Sequence, residues 1–384
     1  MTASTIIAAF YFTFLGALGC FWPYFGMHLE SVGLSAAEAT RVMSVWPLVG
    51  FLTPPLLGLV ADARAARNTI LCVVTGLAAL SFCGFFFAHG LPALYATTAL
   101  VALSRSSVLP MADAAALDAV RSDGGSYGRM RAVGSLGFLL MALGAGQLVR
   151  RWDTRAALAA TVLLVLATLA VALRLPAAPA ATPRRNQAIE AWFQLLKRAD
   201  LWVFLSAVAL AQVGNAIYDA GFSLHLKALG HGPGFVSAAW ALGVGGEVGL
   251  MLVSARLIAS VGAPWLFAST VVVACGRWVL LAQVTDPTAL LCLAPLHGVS
   301  FGLFYVSAVT VMRDKGGSTP TAAQGLFAAA IAVGAVAGMN MSGGLLERHG
   351  GQGMFGVGAV SAALAAVVAT VHARWLGGPR QVGG

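Results

Sequence analysis

Long runs of apolar residues dominate the sequence. Residues 6–27, 156–173 and 351–371 contain no formally charged side chain. A transmembrane helix needs roughly 20 such residues, and these runs lack the strict alternation of a membrane β-barrel strand. The pattern therefore predicts an all-α membrane protein.

We predict twelve membrane spans, numbered in chain order. Spans of about 21 residues would use roughly two thirds of the chain, which fits an apolar content of 59%. Their approximate bounds are 5–28, 38–61, 69–90, 92–120, 128–149, 155–174, 200–226, 235–258, 264–284, 288–312, 320–346 and 351–373.

The segment between spans 6 and 7 differs from the rest of the chain. It is rich in proline and alanine, and it ends in residues 188–198, which have the pattern of a short amphipathic surface helix. We therefore expect a six-helix bundle over 1–174, a cytoplasmic loop over 175–199 and a second six-helix bundle over 200–384. A 6 + 6 layout suggests an internal repeat.

The charge content excludes several classes of protein. Only 10% of the residues are charged, against about 25% in soluble domains, so we exclude a soluble enzyme, a disordered chain and a secreted disulfide scaffold. The five cysteines lie in apolar runs, which indicates free thiols. The sequence has no phosphate-binding loop, metal-ligand cluster or nucleophile elbow, so we expect no ATPase, no other enzyme, no metal and no cofactor.

The Lys and Arg residues indicate an orientation. With the N-terminus inside, fourteen of the 23 fall in cytoplasmic segments, six outside and three within spans. We therefore predict that both termini are cytoplasmic, in a multi-pass protein of a bacterial-type inner membrane. This topology accounts for the net charge of +9, so no nucleic-acid partner is needed. We expect a monomer in the lipid bilayer.

Ionisable residues inside spans are the candidate functional residues. Such residues are expensive in a bilayer, and they usually face a cavity and pair with each other. The set comprises Arg105, Asp113, Arg131, Asp219, Glu247, Arg277 and His297. We expect these residues to serve a solute or a proton.

Spans 4 and 5 supply the first candidate site. Asp113 and Arg131 have opposite charge on adjacent spans, so we expect them to pair, and Phe138 follows Arg131 on the same helical face. A guanidinium beside an aromatic ring suits a carboxylate or an oxygen-rich ring. The alternative is a structural ion pair. For Arg105 a structural role and a site role stay open.

Spans 7 to 10 supply the second candidate site. Trp240 and Glu247 are seven residues apart on span 8, hence on one helical face, and Arg277 and His297 lie on the next two spans. A carboxylate, an arginine and a histidine on consecutive spans can form one protonatable network. Asp219 on span 7 either joins this network or lies in a polar gap between the two halves. The alternative for His297 is a hydrogen bond to a backbone carbonyl.

The turn between spans 2 and 3 is a candidate cytoplasmic gate. There a helix end meets an acid and two bases, which can cap a neighbouring helix and hold the inner face. The residues concerned are Gly58, Asp62, Arg64 and Arg67.

These features resemble those of the major facilitator superfamily. The segment from Tyr127 to Phe138 is similar to the start of span 5 in the lactose-permease-like sugar:proton symporters and the related phenylpropionate permeases, and the stretch from Tyr11 to Asp62 resembles the latter group. The resemblance implies two pseudo-symmetric bundles that alternate access to a central site. In the gate turn, Ala63 and Ala66 replace arginines that are common in the superfamily.

The resemblance also implies roles for individual residues. In the lactose-permease-like group, an acid in span 4 and an arginine 18 residues later bind substrate, which corresponds to Asp113 and Arg131, and Phe138 takes the place of a stacking tryptophan. Glu247 corresponds to an acid that contacts substrate. The counterparts of the coupling network are Tyr218, Asp219, Arg277 and His297.

Departures from that pattern shift the expected substrate. Ser300 replaces the family's proton-carrying glutamate, Ala294 a lysine and Phe222 a second acid of span 7. The proton would then pass through Asp113, Asp219 or Glu247. An arginine among aromatic walls suits a small aromatic or other carboxylate better than a sugar; the walls are Trp46, Phe138 and Trp240.

The leading expectation is a proton-coupled symporter of a small organic solute. A drug or metabolite:proton antiporter is the close alternative, although span 5 lacks the proline typical of that group. A non-transporting membrane sensor is an alternative of a different class. A channel and a membrane enzyme are less favoured.

Overall fold

The protein is helical throughout the part of the chain that the structure describes. The computed structural model describes residues 2–63, 67–123, 127–175, 196–316 and 320–377, and within these ranges it contains no strand. The prediction of an all-α protein is confirmed. Most of the predicted amphipathic helix over 188–198 lies outside the described residues.

The described residues before the central segment form seven helices. One short 3₁₀ turn, Gly84–Phe86, follows the third of them. In chain order the helices are α1 Ala3–Ser31, α2 Ala36–Ala63, α3 Arg67–Cys83, α4 Leu91–Arg105, α5 Val108–Asp123, α6 Tyr127–Arg151 and α7 Thr154–Ala172.

The described residues after the central segment form six further helices. They are α8 Ala199–Ala228, α9 Pro233–Val261, α10 Ala263–Gln283, α11 Pro287–Leu293, α12 Phe304–Gly316 and α13 Pro320–Gly377. Helix α13 contains non-helical backbone at Gly350, with φ 62° and ψ −165°. Glycine has no Cβ and therefore adopts this left-handed φ without strain.

Ten helical segments of the described chain are long and apolar enough to cross a membrane. The longest of them, Ala323–Trp375, includes the break at Gly350. Since each such segment closes its backbone hydrogen bonds within itself, it can lie in lipid without unpaired peptide groups. The protein is therefore a multi-pass membrane protein.

Two of the predicted spans are broken helices. Span 4 is divided between α4 and α5 at residues 106–107, and Pro110 lies just after the break. Proline lacks the N–H that would bond the carbonyl four residues earlier, and its ring clashes with that carbonyl. Span 10 passes from α11 through a 3₁₀ turn at Ala294–Leu296 and a π-helical turn at Gly298–Leu303 into α12. Pro295 lies within the 3₁₀ turn.

The chain divides into two compact units. The first unit comprises residues 1–183 and 220–242, and the second comprises residues 184–219 and 243–384. Helices α8 and α9 thus each contribute one part to each unit. The core of each unit is a cluster of buried apolar side chains. In the first unit most of them come from α1, α3 and α5, and in the second from α8, α10, α12 and α13.

Glycines let helix backbones touch inside the first unit. A Cβ on Gly19 of α1 would collide with the carbonyl oxygen of Phe138, and one on Gly137 of α6 would collide with that of Phe12. In a bilayer, where lipid tails are as apolar as leucine, such close van der Waals contact is a main source of helix association.

The second unit has an equivalent crossing. A Cβ on Gly334 of α13 would collide with the carbonyl oxygen of Ala209, and one on Gly338 with that of Val213, both on α8. Helices α1 and α8 are spans 1 and 7 of the predicted layout, and α6 and the first part of α13 are spans 5 and 11. The crossings therefore fall at corresponding places of the proposed repeat.

We expect Gly137→Ala to destabilise the protein. The added methyl meets backbone atoms of α1, which cannot turn aside as a side chain can, so α1 and α6 must separate at a cost of about 1–3 kcal/mol. Thermal melting of the purified protein in detergent measures this cost. Gly144→Ala on the same helix is the matched control, because a Cβ there has no neighbour within 4 Å. Equal melting temperatures of the two variants would contradict the expectation.

Candidate functional site

A buried tyrosine connects the two charged residues of the first predicted site. The side chain of Tyr11 on α1 is 0% exposed, and its hydroxyl donates a hydrogen bond of 2.5 Å to Asp113 Oδ1 on α5. The guanidinium of Arg131 on α6 lies over the Tyr11 ring, 5.5 Å from its centroid. Gly134 allows this approach, since a Cβ there would meet the Tyr11 Cβ at 2.8 Å.

The expected direct ion pair between Asp113 and Arg131 does not form. None of the salt bridges between described residues joins the two side chains. The physical reason is Tyr11, because its hydroxyl binds the Asp113 carboxylate and the Arg131 guanidinium lies over its ring. Arg131 Nη1 is buried without a hydrogen-bond partner among the described residues. Arg131 therefore keeps an N–H group from which a ligand oxygen could accept a hydrogen bond.

The aromatic residues predicted to wall this site separate into different surroundings. Phe138 is half-buried and packs against the apolar cluster that contains Tyr11. Trp46 on α2 stacks on Phe21 with ring centroids 5.6 Å apart and lies edge-on to Trp22 at 5.6 Å. The Trp46 ring also lies 4.9 Å from the guanidinium carbon of Arg105.

Trp240 is engaged within the first unit. It is 3% exposed, its ring lies edge-on to Phe222 at 6.3 Å, and its indole N–H donates to Ser223 Oγ at 2.9 Å. Glu247, seven residues later on the same helix, belongs to the second unit. The ring of Trp240 thus already has neighbours, and its assignment as a substrate wall remains a prediction.

Residues 220–242 also make polar contacts within the first unit that sequence patterns did not indicate. The Tyr24 hydroxyl lies 2.5 Å from Ser237 Oγ and donates to the carbonyl oxygen of Pro233 at 2.8 Å. Lys227 Nζ forms a salt bridge of 2.6 Å with Glu30. These contacts fasten the hairpin between α8 and α9 to α1.

A fully buried arginine is the centre of the second predicted site. Arg277 on α10 is 1% exposed, and its guanidinium carbon lies 4.2 Å from the centroid of the Tyr218 ring. Its Nη1 donates to Ser300 Oγ at 2.8 Å. Asp219 interacts electrostatically with both Arg277 and Glu247. The structure thus brings the predicted acids and the predicted arginine into one network.

His297 belongs to the same network through stacking. The imidazole is 5% exposed and lies between the rings of Tyr218 and Phe301, each with its centroid 5.3 Å away. Its backbone joins the 3₁₀ turn to the π-helical turn that carries Ser300. π-Helical turns within helices occur frequently at functional sites.

Glycines set the distance between α9 and the π-helical turn. A Cβ on Gly246 would collide with the carbonyl oxygen of Pro295, and one on Gly298 would lie 2.5 Å from the carbonyl group of Gly246. A Cβ on Gly302 would meet Cγ of Glu247 at 2.8 Å. This contact places the Glu247 side chain directly against the irregular turn.

The predicted cytoplasmic gate lies largely outside the described side chains. The side chains at residues 58 and 62 and all of residue 64 are not described, so the roles of Gly58, Asp62 and Arg64 stay predictions. Arg67, the first residue of α3, forms a salt bridge of 2.7 Å with Asp118 on α5. Asp118 had no distinguishing pattern in the sequence.

The described residues contain no group of three or more His, Cys, Asp and Glu side chains that could hold a metal ion. The chemistry available in both networks is that of charged hydrogen bonding and proton exchange. Membrane-length helices that bury such networks are typical of polytopic transporters, which move polar solutes past lipid.

Comparison with known proteins identifies the family. Residues 4–357 match the MFS_1 like family, and the chain belongs to it. It is 25% identical over 365 residues to the probable 3-phenylpropionic acid transporter of Escherichia coli (strain K12), covering 93% of this chain and 94% of that protein. It is 30% identical over 329 residues to the maltose permease of Geobacillus stearothermophilus, covering 83% and 78%.

Solved structures show the same fold. A single-residue variant of the nucleoside transporter NupG superimposes with a TM-score of 0.84 at 18% identity, covering 97% of this chain and 99% of that one. The POT family transporter PepTSo gives a TM-score of 0.74 at 12% identity, covering 98% and 99%. The predicted resemblance to the major facilitator superfamily is confirmed: the protein is a membrane transporter and not an enzyme.

We expect Ser300→Ala to destabilise the protein more than Ser307→Ala. The first change leaves a buried guanidinium N–H without its acceptor, at a cost of about 1–3 kcal/mol. Ser307 is equally buried, but within the described part of the chain its hydroxyl bonds just two carbonyls of its own helix turn, those of Leu303 and Phe304. Thermal melting compares the two variants. A similar loss in both would show that Arg277 does not depend on Ser300.

Proposed function

We propose that this protein is a proton-coupled symporter of small aromatic carboxylates that works by alternating access. In this proposal the chain crosses a bacterial inner membrane twelve times, has both termini in the cytoplasm and functions as a monomer. The family and the transporter relatives support transport in general. The substrate and the coupling ion are our inference from the two networks.

The count of twelve spans has a geometric basis. At 1.5 Å per residue, the 53 residues of Ala323–Trp375 would extend about 80 Å as one helix, whereas a bilayer core is about 30 Å thick. The break at Gly350 divides this segment into two lengths that each suit one crossing. Helix α2, with 28 residues, supplies the remaining span.

The observation that carries proton coupling is the composition of the Arg277 network. It holds two carboxylates, Asp219 and Glu247, around one guanidinium whose hydrogen-bond partner is the neutral Ser300. One arginine balances one carboxylate, so the second carboxylate can exist with a proton or without it. A group that binds and releases a proton inside the bilayer is what coupling to a pH gradient requires.

The observation that favours a carboxylate substrate is the unsatisfied donor of Arg131. A buried guanidinium N–H without a partner is costly unless a ligand accepts its hydrogen bond, and carboxylates accept such bonds in a fork geometry. The relative named as a probable 3-phenylpropionic acid transporter covers nearly the whole chain. We therefore choose 3-phenylpropionate as the first substrate to test.

A sugar is the second candidate substrate. The observation that favours it is the 30% identity to a maltose permease. The Asp113 carboxylate beside Tyr11 and Arg131 could bind hydroxyl groups. Uptake assays with radiolabelled maltose and 3-phenylpropionate, on the same proteoliposomes, separate the two candidates.

We expect proteoliposomes to accumulate 3-phenylpropionate when the outside is acidified, and Arg131→Ala to reduce the initial rate at least about tenfold. The reduction follows from the loss of a charged hydrogen bond to the carboxylate. Unchanged uptake by Arg131→Ala would contradict this site. Accumulation under the opposite gradient would indicate an antiporter, and no accumulation of any solute would indicate a sensor.

We expect Asp219→Asn and Glu247→Gln to separate coupling from movement of the solute. The variant that removes the proton carrier should lose accumulation driven by the pH gradient yet retain exchange of labelled for unlabelled substrate at equal pH. Asp314→Asn is the control, because that exposed carboxylate pairs with its neighbour Arg313 and with no other residue that the structure describes. If both variants accumulate substrate as the unaltered protein does, the network is not the coupling site.

A further inference from the structure

Arg105 is a charged residue of the first unit, and it belongs to neither of the two networks. It is the last residue of α4, at the break in span 4, and its side chain is half-buried. Its guanidinium carbon lies 5.0 Å from the ring centroid of Phe14 and 4.9 Å from that of Trp46. Two aromatic faces from α1 and α2 therefore hold this cation.

Arg105 has no anionic partner among the described residues. Among the residues that the structure describes, Arg105 has neither a hydrogen bond nor an ion pair. Aromatic rings compensate only part of the cost of a cation that has left water. Arg131 differs from Arg105, because the Arg131 guanidinium and the Asp113 carboxylate both contact Tyr11. The surroundings of Arg105 carry a net positive charge, and those of Arg131 are balanced.

The space beside Arg105 is a small apolar cavity. Arg105 is the only charged side chain among its described lining residues, which otherwise include Phe14, Thr75, Phe82, Val108 and Val165. The cavity has room for about one group the size of a water molecule. One oxygen of a carboxylate fits such a space.

The break in span 4 adds a hydrogen-bond donor two residues after Arg105 in the chain. The hydroxyl of Ser107 is 1% exposed and has no partner among the described residues. Helix α5 begins at the next residue, Val108, and the free N–H groups of a helix start attract negative charge. Broken helices that present such ends to an anionic group are a recurring feature of transporter binding sites.

Aromatic residues continue from the guanidinium. Trp46, which contacts Arg105, also contacts Phe21 and Trp22. Aryl groups bind well against such clusters through edge-to-face and offset contacts. One cation, one small apolar cavity and one aromatic cluster thus meet at the break in span 4.

We propose that Arg105 binds the carboxylate of an aromatic monocarboxylic acid and makes the transporter prefer such acids to their neutral analogues. This proposal rests on the proposed function and assigns the acid preference to a residue outside the Tyr11–Asp113–Arg131 group. Arg131 then donates a hydrogen bond to one carboxylate oxygen, which the oxygen of a neutral amide also accepts, while Arg105 supplies the preference for a negative charge.

The test is a comparison of one acid with its neutral amide. Purified protein in detergent is titrated calorimetrically with 3-phenylpropionate and with 3-phenylpropanamide. The variants are Arg105→Gln, Arg105→Lys and Arg131→Gln. Arg151→Gln is the matched control, because the Arg151 guanidinium also lies over a tryptophan, Trp152 at 5.3 Å, but on an exposed part of α6.

We expect the unaltered protein and Arg151→Gln to bind the acid about 10- to 100-fold more tightly than the amide, as one charged hydrogen-bonding group provides. In Arg105→Gln the two affinities should differ by less than about twofold, a change of at least fivefold in preference. Arg131→Gln should weaken both ligands and keep the preference. Arg105→Lys should keep a reduced preference, because an ammonium lacks the planar fork.

Three results would overturn the proposal, and they differ in whether the proposed function survives. If Arg105→Gln keeps the full preference and Arg131→Gln loses it, Arg105 is structural and the proposed function survives. If the unaltered protein binds neither ligand, the aromatic carboxylate substrate and the role of Arg105 both fail. Should Arg105→Gln lose its cooperative thermal transition, Arg105→Lys takes its place, and an acid-to-amide preference equal to that of the unaltered protein overturns the proposal.

Discussion

Contact between helix backbones at glycine is the constraint on which both networks depend. In lipid no hydrophobic force drives helices together, so close van der Waals contact must do so. Gly137 lets α6 touch α1, and three residues earlier Gly134 admits the Tyr11 side chain that links Asp113 to Arg131. In the second unit the α8 backbone touches α13 at Gly338, a few residues before Tyr218 and Asp219. A methyl group at any of these glycines would displace the polar groups along with the helices.

Arg105, Arg131 and Arg277 contact aromatic rings or a neutral oxygen, and none of them forms a salt bridge with a described carboxylate. Arg131 and Arg277 lie over tyrosines, Arg105 lies over Phe14 and Trp46, and Ser300 accepts from Arg277. An arginine in a direct buried ion pair has its donors engaged, and breaking that pair is costly. An arginine over a ring is held in position while donors stay available. This arrangement suits a protein that must bind a charged solute and release it again.

The sequence allowed prediction of the helices and of the charged residues, because both produce local patterns: long apolar runs, and rare charges within them. It did not allow prediction of Tyr11, since a tyrosine in an apolar span has the same pattern whether it packs in a core or binds a carboxylate. The direct Asp113–Arg131 pair was a reasonable expectation from charge alone, but the approach of α1 at Gly134 decides the outcome. Pro110 and Pro295 mark the broken spans, yet nothing local distinguishes a π-helical turn from an ordinary kink.

The π-helical turn at Gly298–Leu303 has a consequence for every comparison of sequences through span 10. Such a turn holds one residue more than an α-helical turn, and one residue rotates a helix by about 100°. Counting from His297 as in a regular helix assigns each residue of α12 to a helical face. That assignment is wrong by this rotation. An alignment of span 10 with a relative that lacks the turn needs a one-residue gap between Gly298 and Phe304, and a mutational scan of α12 must be numbered from the far side of that gap.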